Sequence, residues 1–225
     1  MYISHSHKFI FIHIPKTAGT SIRNVIEPLC VRPEKKWFRS ILRELKIPQA
    51  AEKARFTPHE SARTVRKILG PRVQDYTFFT VVRNPYDHAV SHYTYLRQHV
   101  APVYSEYFQE LTFDQYLDVR LTPRKHRKIS GHAKMFDQSS FLTDRSGQVI
   151  VDRIIRFEDL TAGFPALCED LGIPKHQLPH KRATKRRDRD LFRYYESSKT
   201  IDRVKRLYRR DFANFKYAND LPAKT

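Results

Sequence analysis

Short, wholly apolar runs alternate along this chain with longer stretches of helical periodicity. Phe9-Ile10-Phe11-Ile12-His13-Ile14 is β-branched and aromatic and stops at Pro15, which predicts a buried strand over residues 8–14. Tyr76-Thr77-Phe78-Phe79-Thr80-Val81-Val82 has the same character and predicts a second strand, of the continuously apolar kind found inside parallel sheets. A third strand is predicted over 149–157. Helical patterns occupy 17–29, 58–69, 85–97, 113–119 and 161–171; Gly70-Pro71 ends the second and Gly172-Ile173-Pro174 closes the last. Residues 31–57 read as a basic, irregular region with a short helix near 38–45. Towards the C-terminus, Ile201, Val204, Tyr208, Phe212 and Phe215 line one face of a predicted amphipathic helix. Strands separated by helices predict an α/β fold, a mainly parallel sheet with helices on both faces. Ligands of such sheets bind beyond the carboxyl ends of the strands.

At 225 residues the chain accommodates one domain with a substantial core, and residues 1–225 are expected to form it. Cys30 and Cys168 are the only cysteines, which excludes a disulfide-built scaffold and suits a reducing compartment. The apolar run at 9–14 is too short for a signal-peptide core or a membrane span. A soluble, unexported chain with a cytoplasmic location is therefore expected.

The net charge of +18 favours polyanionic partners. It is concentrated in Lys181, Arg182, Lys185, Arg186, Arg187 and Arg189, and again in Arg203, Lys205, Arg206, Arg209 and Arg210. No zinc-finger, RNA-recognition or basic-zipper pattern is present, so no specific nucleic acid is expected. Peripheral contact with an anionic membrane surface is compatible with the charge. No cluster of His, Cys and Asp has metal-ligand spacing, and no metal is expected.

Two segments carry candidate chemistry. Pro15-Lys16-Thr17-Ala18-Gly19-Thr20-Ser21 joins the first predicted strand to a helix N-terminus. Free backbone N–H groups and the positive end of the helix dipole converge at such a turn and make an anion site. Lys16 adds a full charge, and Thr17, Thr20 and Ser21 add short donors. The nucleotide-triphosphate loop has its lysine after the last glycine; here Lys16 precedes Gly19, so this is a different loop. The second segment is Val82-Arg83-Asn84-Pro85-Tyr86-Asp87-His88-Ala89-Val90-Ser91-His92-Tyr93. Arg83 ends a buried strand, where it needs a partner. An arginine fork with the Ser91 hydroxyl suits a second phosphate, whereas an Arg83–Asp87 ion pair would be purely structural.

Taken together, the two segments resemble the sulfotransferases that use 3′-phosphoadenosine 5′-phosphosulfate (PAPS), and in particular the carbohydrate (Golgi-type) branch and its bacterial relatives. Asp152-Arg153-Ile154-Ile155-Arg156-Phe157-Glu158-Asp159-Leu160, Leu178-Pro179-His180 and residues 208–217 extend the resemblance. It implies a P-loop-like sulfotransferase fold and PAPS as co-substrate, with Lys16, Thr17, Ala18, Gly19, Thr20 and Ser21 holding the 5′-phosphosulfate. Arg83 and Ser91 would hold the 3′-phosphate, and Lys185 and Arg186 would close over the nucleotide. The chain departs from the family at His88, where arginine is frequent, and at Arg182, where asparagine is common.

The chemistry implied is in-line transfer of a sulfuryl group to an acceptor hydroxyl or, as the lesser option, an amine. Lys16 would stabilise charge on the departing phosphate oxygen. Histidine is the side chain suited to take the acceptor proton near neutral pH. The expected base is His59, which lies upstream of the arginine segment as the family's histidine does; Glu60, His88 and His92 are alternatives. The acceptor is expected to be a glycan or other hydroxyl compound, often anionic. Tyr93, Tyr95, Tyr104, Tyr107, Phe108, Phe113 and Tyr116 would either line a sugar platform or pack in the core. Two other readings stand beside this one. A kinase-like phosphotransferase would need a glycine-rich loop and a metal-binding aspartate. A non-catalytic polyanion-binding module would bind with steep salt dependence.

Overall fold

The computed structural model describes residues 1–31, 56–99, 107–133, 136–174 and 191–222. In chain order the main elements are β1 (Tyr2–Ser4), β2 (Phe9–Ile12), α1 (Gly19–Ile26), α2 (Ala62–Leu69), β3 (Thr77–Val82), α3 (Pro85–His99), α4 (Phe113–Leu121), β4 (Arg153–Arg156), α5 (Leu160–Asp170), α6 (Ser198–Leu207) and α7 (Arg209–Phe215). The chain divides into two compact units: Met1–Val82 with Ser139–Lys181, and Arg83–Gln138 with Arg182–Thr225. The predicted short helix at 38–45, Leu178-Pro179-His180 and the basic segment 181–189 lie outside the described residues.

The first unit is built on a four-stranded sheet in the order β1-β2-β3-β4. β2, β3 and β4 are parallel, with Phe11 opposite Phe79 and Thr80 opposite Ile154. β1 adds an antiparallel edge strand that a three-residue pattern is too short to announce. Alternation along the strands turns Phe9, Phe11, Phe79, Val81 and Ile155 to one face, where Ile22 and Ile26 of α1 and Phe164 and Leu167 of α5 cover them. Each such fully buried side chain contributes about 1.5–3 kcal/mol. The other face carries α2. The Arg66 guanidinium lies 4.5 Å from the centre of the Phe78 ring and donates to the Ile150 carbonyl at 2.9 and 3.1 Å.

Several predicted boundaries move, each for a local reason. α1 starts at Gly19 because Ala18 is left-handed, and it tightens into a 3-10 turn over Glu27–Leu29 at Pro28. α2 starts at Ala62, not 58: Ser61 accepts the Thr64 N–H at 3.3 Å as N-cap, which leaves Pro58 and His59 in a preceding turn. β4 is confined to Arg153–Arg156 because the chain before it folds back, with Ile150 N–H donating to the Leu142 carbonyl at 2.9 Å. Asp152 then aligns β4 with β3, its Oδ2 accepting the Phe78 N–H at 2.7 Å. Thr80 Oγ1 donates to the Ile12 carbonyl at 2.8 Å and joins the carboxyl ends of β2 and β3.

The second unit is helical. Tyr86, Tyr116, Val204 and Tyr208 are fully buried in its core. Thr112 and Gln115 form a reciprocal capping box at the start of α4. The single amphipathic helix expected near the C-terminus is two helices, because Tyr208 leaves helical geometry at φ −114° and ψ 20°. Its buried hydroxyl accepts from Arg120 Nη1 at 2.7 Å. Among the described residues no helix is long and apolar enough to cross a membrane.

Candidate active site

The turn after β2 has the backbone of an anion cradle. Lys16 (φ 68°) and Ala18 (φ 63°) are both left-handed, a conformation that costs a non-glycine residue on the order of 1–3 kcal/mol and clusters at functional sites. No side chain caps α1, and the Ser21 N–H turns back to the Ala18 carbonyl at 2.9 Å. Thr17 is buried and donates its hydroxyl to the Ile14 carbonyl at 3.0 Å, which shapes the turn. Lys16, Ala18, Thr20 and Ser21 are partly exposed around the helix start. Gly19 has no alternative: a Cβ there would lie 1.7 Å from His13 Nε2.

That contact brings a histidine pair to the loop. The His13 ring stacks on Phe11, with centroids 5.6 Å apart and planes at 16°, and lies 4.6 Å from the His59 ring. Burial, with the neighbouring His59 adding to it, holds the His13 imidazole well below its usual titration range. Its Nδ1 is buried with no hydrogen-bond partner among the described residues. His59 is exposed, and its Nδ1 lies 2.9 Å from the His13 carbonyl oxygen. A carbonyl only accepts, so Nδ1 carries a proton, and in the neutral ring Nε2 is the nitrogen with the lone pair. Glu60 is buried and receives the Thr57 hydroxyl at 2.9 Å.

In the second unit, Arg83 follows β3 directly. Its Nε donates to Asp87 Oδ2 at 2.5 Å and its Nη1 to Ser91 Oγ at 3.1 Å. The two readings of the sequence therefore combine: the ion pair orients the guanidinium, and the serine hydroxyl stands beside it. Asn84 Oδ1 accepts the Tyr86 N–H at 3.0 Å at the start of α3. His88 and His92 are buried; their Nδ1 atoms pair with Tyr208 Oη at 3.2 Å and Tyr116 Oη at 2.7 Å. Both sit within a core network. Tyr93, Phe108, Phe113 and Tyr116 are core residues too, whereas Tyr95 and Tyr107 are exposed.

Sequence reasoning missed Gln138 and Asp211. Both are fully buried, and the Gln138 side-chain amide bonds both backbone groups of Arg83, accepting from its N–H and donating to its carbonyl at 2.8 Å each. Asp211 carried one visible signal, a carboxylate on the apolar face shared by Tyr208, Phe212 and Phe215. Lys185, Arg186 and Tyr104 lie outside the described residues. Among the described residues no group of three or more His, Cys, Asp or Glu could hold a metal ion.

No curated protein matches the chain. Among solved structures, it is similar to a sulfotransferase from Alicyclobacillus acidocaldarius, with 13% identity and a TM-score of 0.46 over 93% of this chain and 98% of that one. It is also similar to mouse sulfotransferase SULT7A1 complexed with PAP, with 16% identity and a TM-score of 0.41 over 100% of this chain and 70% of that one. The profile of the Sulfotransferase family matches residues 1–218, a span that includes the Lys16–Ser21 loop, His59 and the Arg83–Ser91 segment. The chain belongs to the sulfotransferase family.

Proposed function

We propose that this chain moves the sulfuryl group of PAPS to a carbohydrate hydroxyl, with His59 as general base. The observation that carries the reading is the hydrogen bond from His59 Nδ1–H to the His13 carbonyl at 2.9 Å. It leaves the basic nitrogen on the outer side of the ring, on a residue whose neighbour His13 packs against Gly19 of the anion loop. The left-handed, uncapped turn suits a phosphosulfate group, so the residues fit the co-substrate.

PAPS supplies an activated sulfuryl group when bound. Lys16, with the backbone N–H groups of Thr17, Ala18, Gly19 and Thr20 and the hydroxyls of Thr20 and Ser21, holds the 5′-phosphosulfate. Arg83 and Ser91 take the 3′-phosphate, with Lys185 and Arg186 closing over the nucleotide. The acceptor oxygen forms a bond to sulfur as the bond from sulfur to the bridging phosphate oxygen breaks. His59 Nε2 takes the acceptor proton. Lys16 stabilises the charge left on the phosphate oxygen, an interaction stronger in the transition state than in the ground state. The net charge of +18 favours an acidic glycan as acceptor. The family match crosses both compact units, which supports one sulfotransferase domain over the whole chain.

The test is transfer of radiolabelled sulfur from PAPS to a panel of neutral and acidic saccharides. The wild type labels a saccharide, and His59→Ala does not while still binding adenosine 3′,5′-bisphosphate. Full transfer by His59→Ala contradicts the assignment of the base.

A further inference from the structure

We infer that Gln138 and Asp211 are positioning residues for the 3′-phosphate arginine, and so set the preference for a 3′-phosphorylated nucleotide. The proposal rests on Arg83 taking that phosphate. Arg83 is the first residue after β3, and its backbone is gripped by a side chain and not by a neighbouring strand. Gln138 Oε1 accepts the Arg83 N–H, and Gln138 Nε2 donates to the Arg83 carbonyl, both at 2.8 Å. The glutamine amide thus pairs with the backbone at Arg83 as a second strand would, 55 residues away in sequence.

The Arg83 backbone dictates which way round the amide lies, and Asp211 reinforces that orientation. Its Oδ2 accepts the Gln138 backbone N–H at 2.8 Å and Gln138 Nε2 at 3.2 Å. A carboxylate accepts and cannot donate, so the nitrogen must face Asp211 and the Arg83 carbonyl, and the oxygen must face the Arg83 N–H. Asp211 and Gln138 are both 0% exposed, and at such sites a bond to a charged group is strongest and a missing partner most damaging. The neighbouring residues repeat the attachment: Arg210 binds both carboxylate oxygens of Asp137 at 2.7 Å. Two consecutive residues of α7 therefore hold two consecutive residues of the segment that fixes Arg83. With its backbone held, the guanidinium is aimed by Asp87 and Ser91.

The consequence is a selectivity effect that loss of stability alone does not produce. Binding of adenosine 3′,5′-bisphosphate and of adenosine 5′-monophosphate is measured by calorimetry on the full chain, below the melting temperature of the least stable variant. The variants are Gln138→Met, Asp211→Asn and Arg83→Ala. Gln138→Met keeps the volume and removes the polar atoms; Asp211→Asn keeps the shape and weakens the charged acceptor that anchors Gln138, so either one suffices should the other fail to fold. The expected result is a drop of about tenfold in the preference for the bisphosphate in both, the scale found when groups supporting a binding residue are removed, with monophosphate binding unchanged. A preference lost in Arg83→Ala but kept in folded Gln138→Met and Asp211→Asn overturns the inference alone. A preference kept in Arg83→Ala as well overturns the phosphate assignment of Arg83 and this inference with it.

Discussion

His59 Nδ1 donates to the His13 carbonyl across 2.9 Å, although 46 residues separate the two in sequence. One residue thus faces the anion loop with its ring, against Gly19, and orients the candidate base with its backbone. The loop and the base share a support, and the consequences can be measured.

Replacing His59 with Asn or Ala removes the proposed proton acceptor and is expected to leave the loop intact. The expected loss in kcat is about 10²–10⁴-fold, the usual contribution of a positioned general base. Binding of adenosine 3′,5′-bisphosphate, measured by calorimetry, stays within about twofold, since phosphate binding needs no base.

Gly19→Ala is predicted to be severe. Its Cβ would stand 1.7 Å from His13 Nε2 and 1.9 Å from Cδ2, well inside contact distance, so the ring must leave its place. Activity and bisphosphate binding both fall. The double variant Gly19→Ala with His13→Ala makes room for the methyl and recovers part of the binding, which a double-mutant cycle reads as a positive coupling. Strict additivity would contradict the contact.

Stability should fall in mild acid through His13. Burial keeps this imidazole neutral in the folded chain below its ordinary value, so the unfolded chain binds the proton first. Stability is therefore full above about pH 6.5, the unfolded value, and declines as the pH falls below it. The slope attributable to one proton is at most about 1.4 kcal/mol per pH unit. Melting curves between about pH 7.5 and 5 should show a decline in the wild type that is shallower in His13→Phe, which cannot titrate.

Tyr208 joins His88 and Arg120 in the helical unit. Tyr208→Phe withdraws its hydroxyl from both, with an expected loss of about 1–3 kcal/mol in urea unfolding. Neutral behaviour would mean that the network does not contribute to stability.

Much of this was legible in the sequence, and the rest has a clear physical cause. β2 and β3 announce themselves because strands buried on both faces are continuously apolar, and Pro15 marks where the first run stops. Ala18 hides the true start of α1, since nothing in its side chain signals a left-handed backbone. The C-terminal pattern of Ile201, Val204, Tyr208, Phe212 and Phe215 is continuous, yet Tyr208 breaks the helix where its hydroxyl takes a long-range partner. The anion loop and the Arg83–Ser91 pairing are local, spaced along the chain in a readable way. Gln138 and Asp211 are not, because their bonds span 55 and 73 residues. The spacing of His88 and His92 does not reveal that both are buried against tyrosine hydroxyls, because Tyr116 and Tyr208 lie 24 and 120 residues away in sequence.

The central claim is that this sulfotransferase uses a 3′-phosphorylated adenine nucleotide held in part by Arg83. It is tested most directly by calorimetric titration with adenosine 3′,5′-bisphosphate, adenosine 5′-monophosphate and ATP, on the wild type and on Arg83→Ala. The account predicts tight binding of the bisphosphate, much weaker binding of the other two, and loss of the difference in Arg83→Ala. Equal or tighter binding of ATP, or no binding of any of the three, would contradict it.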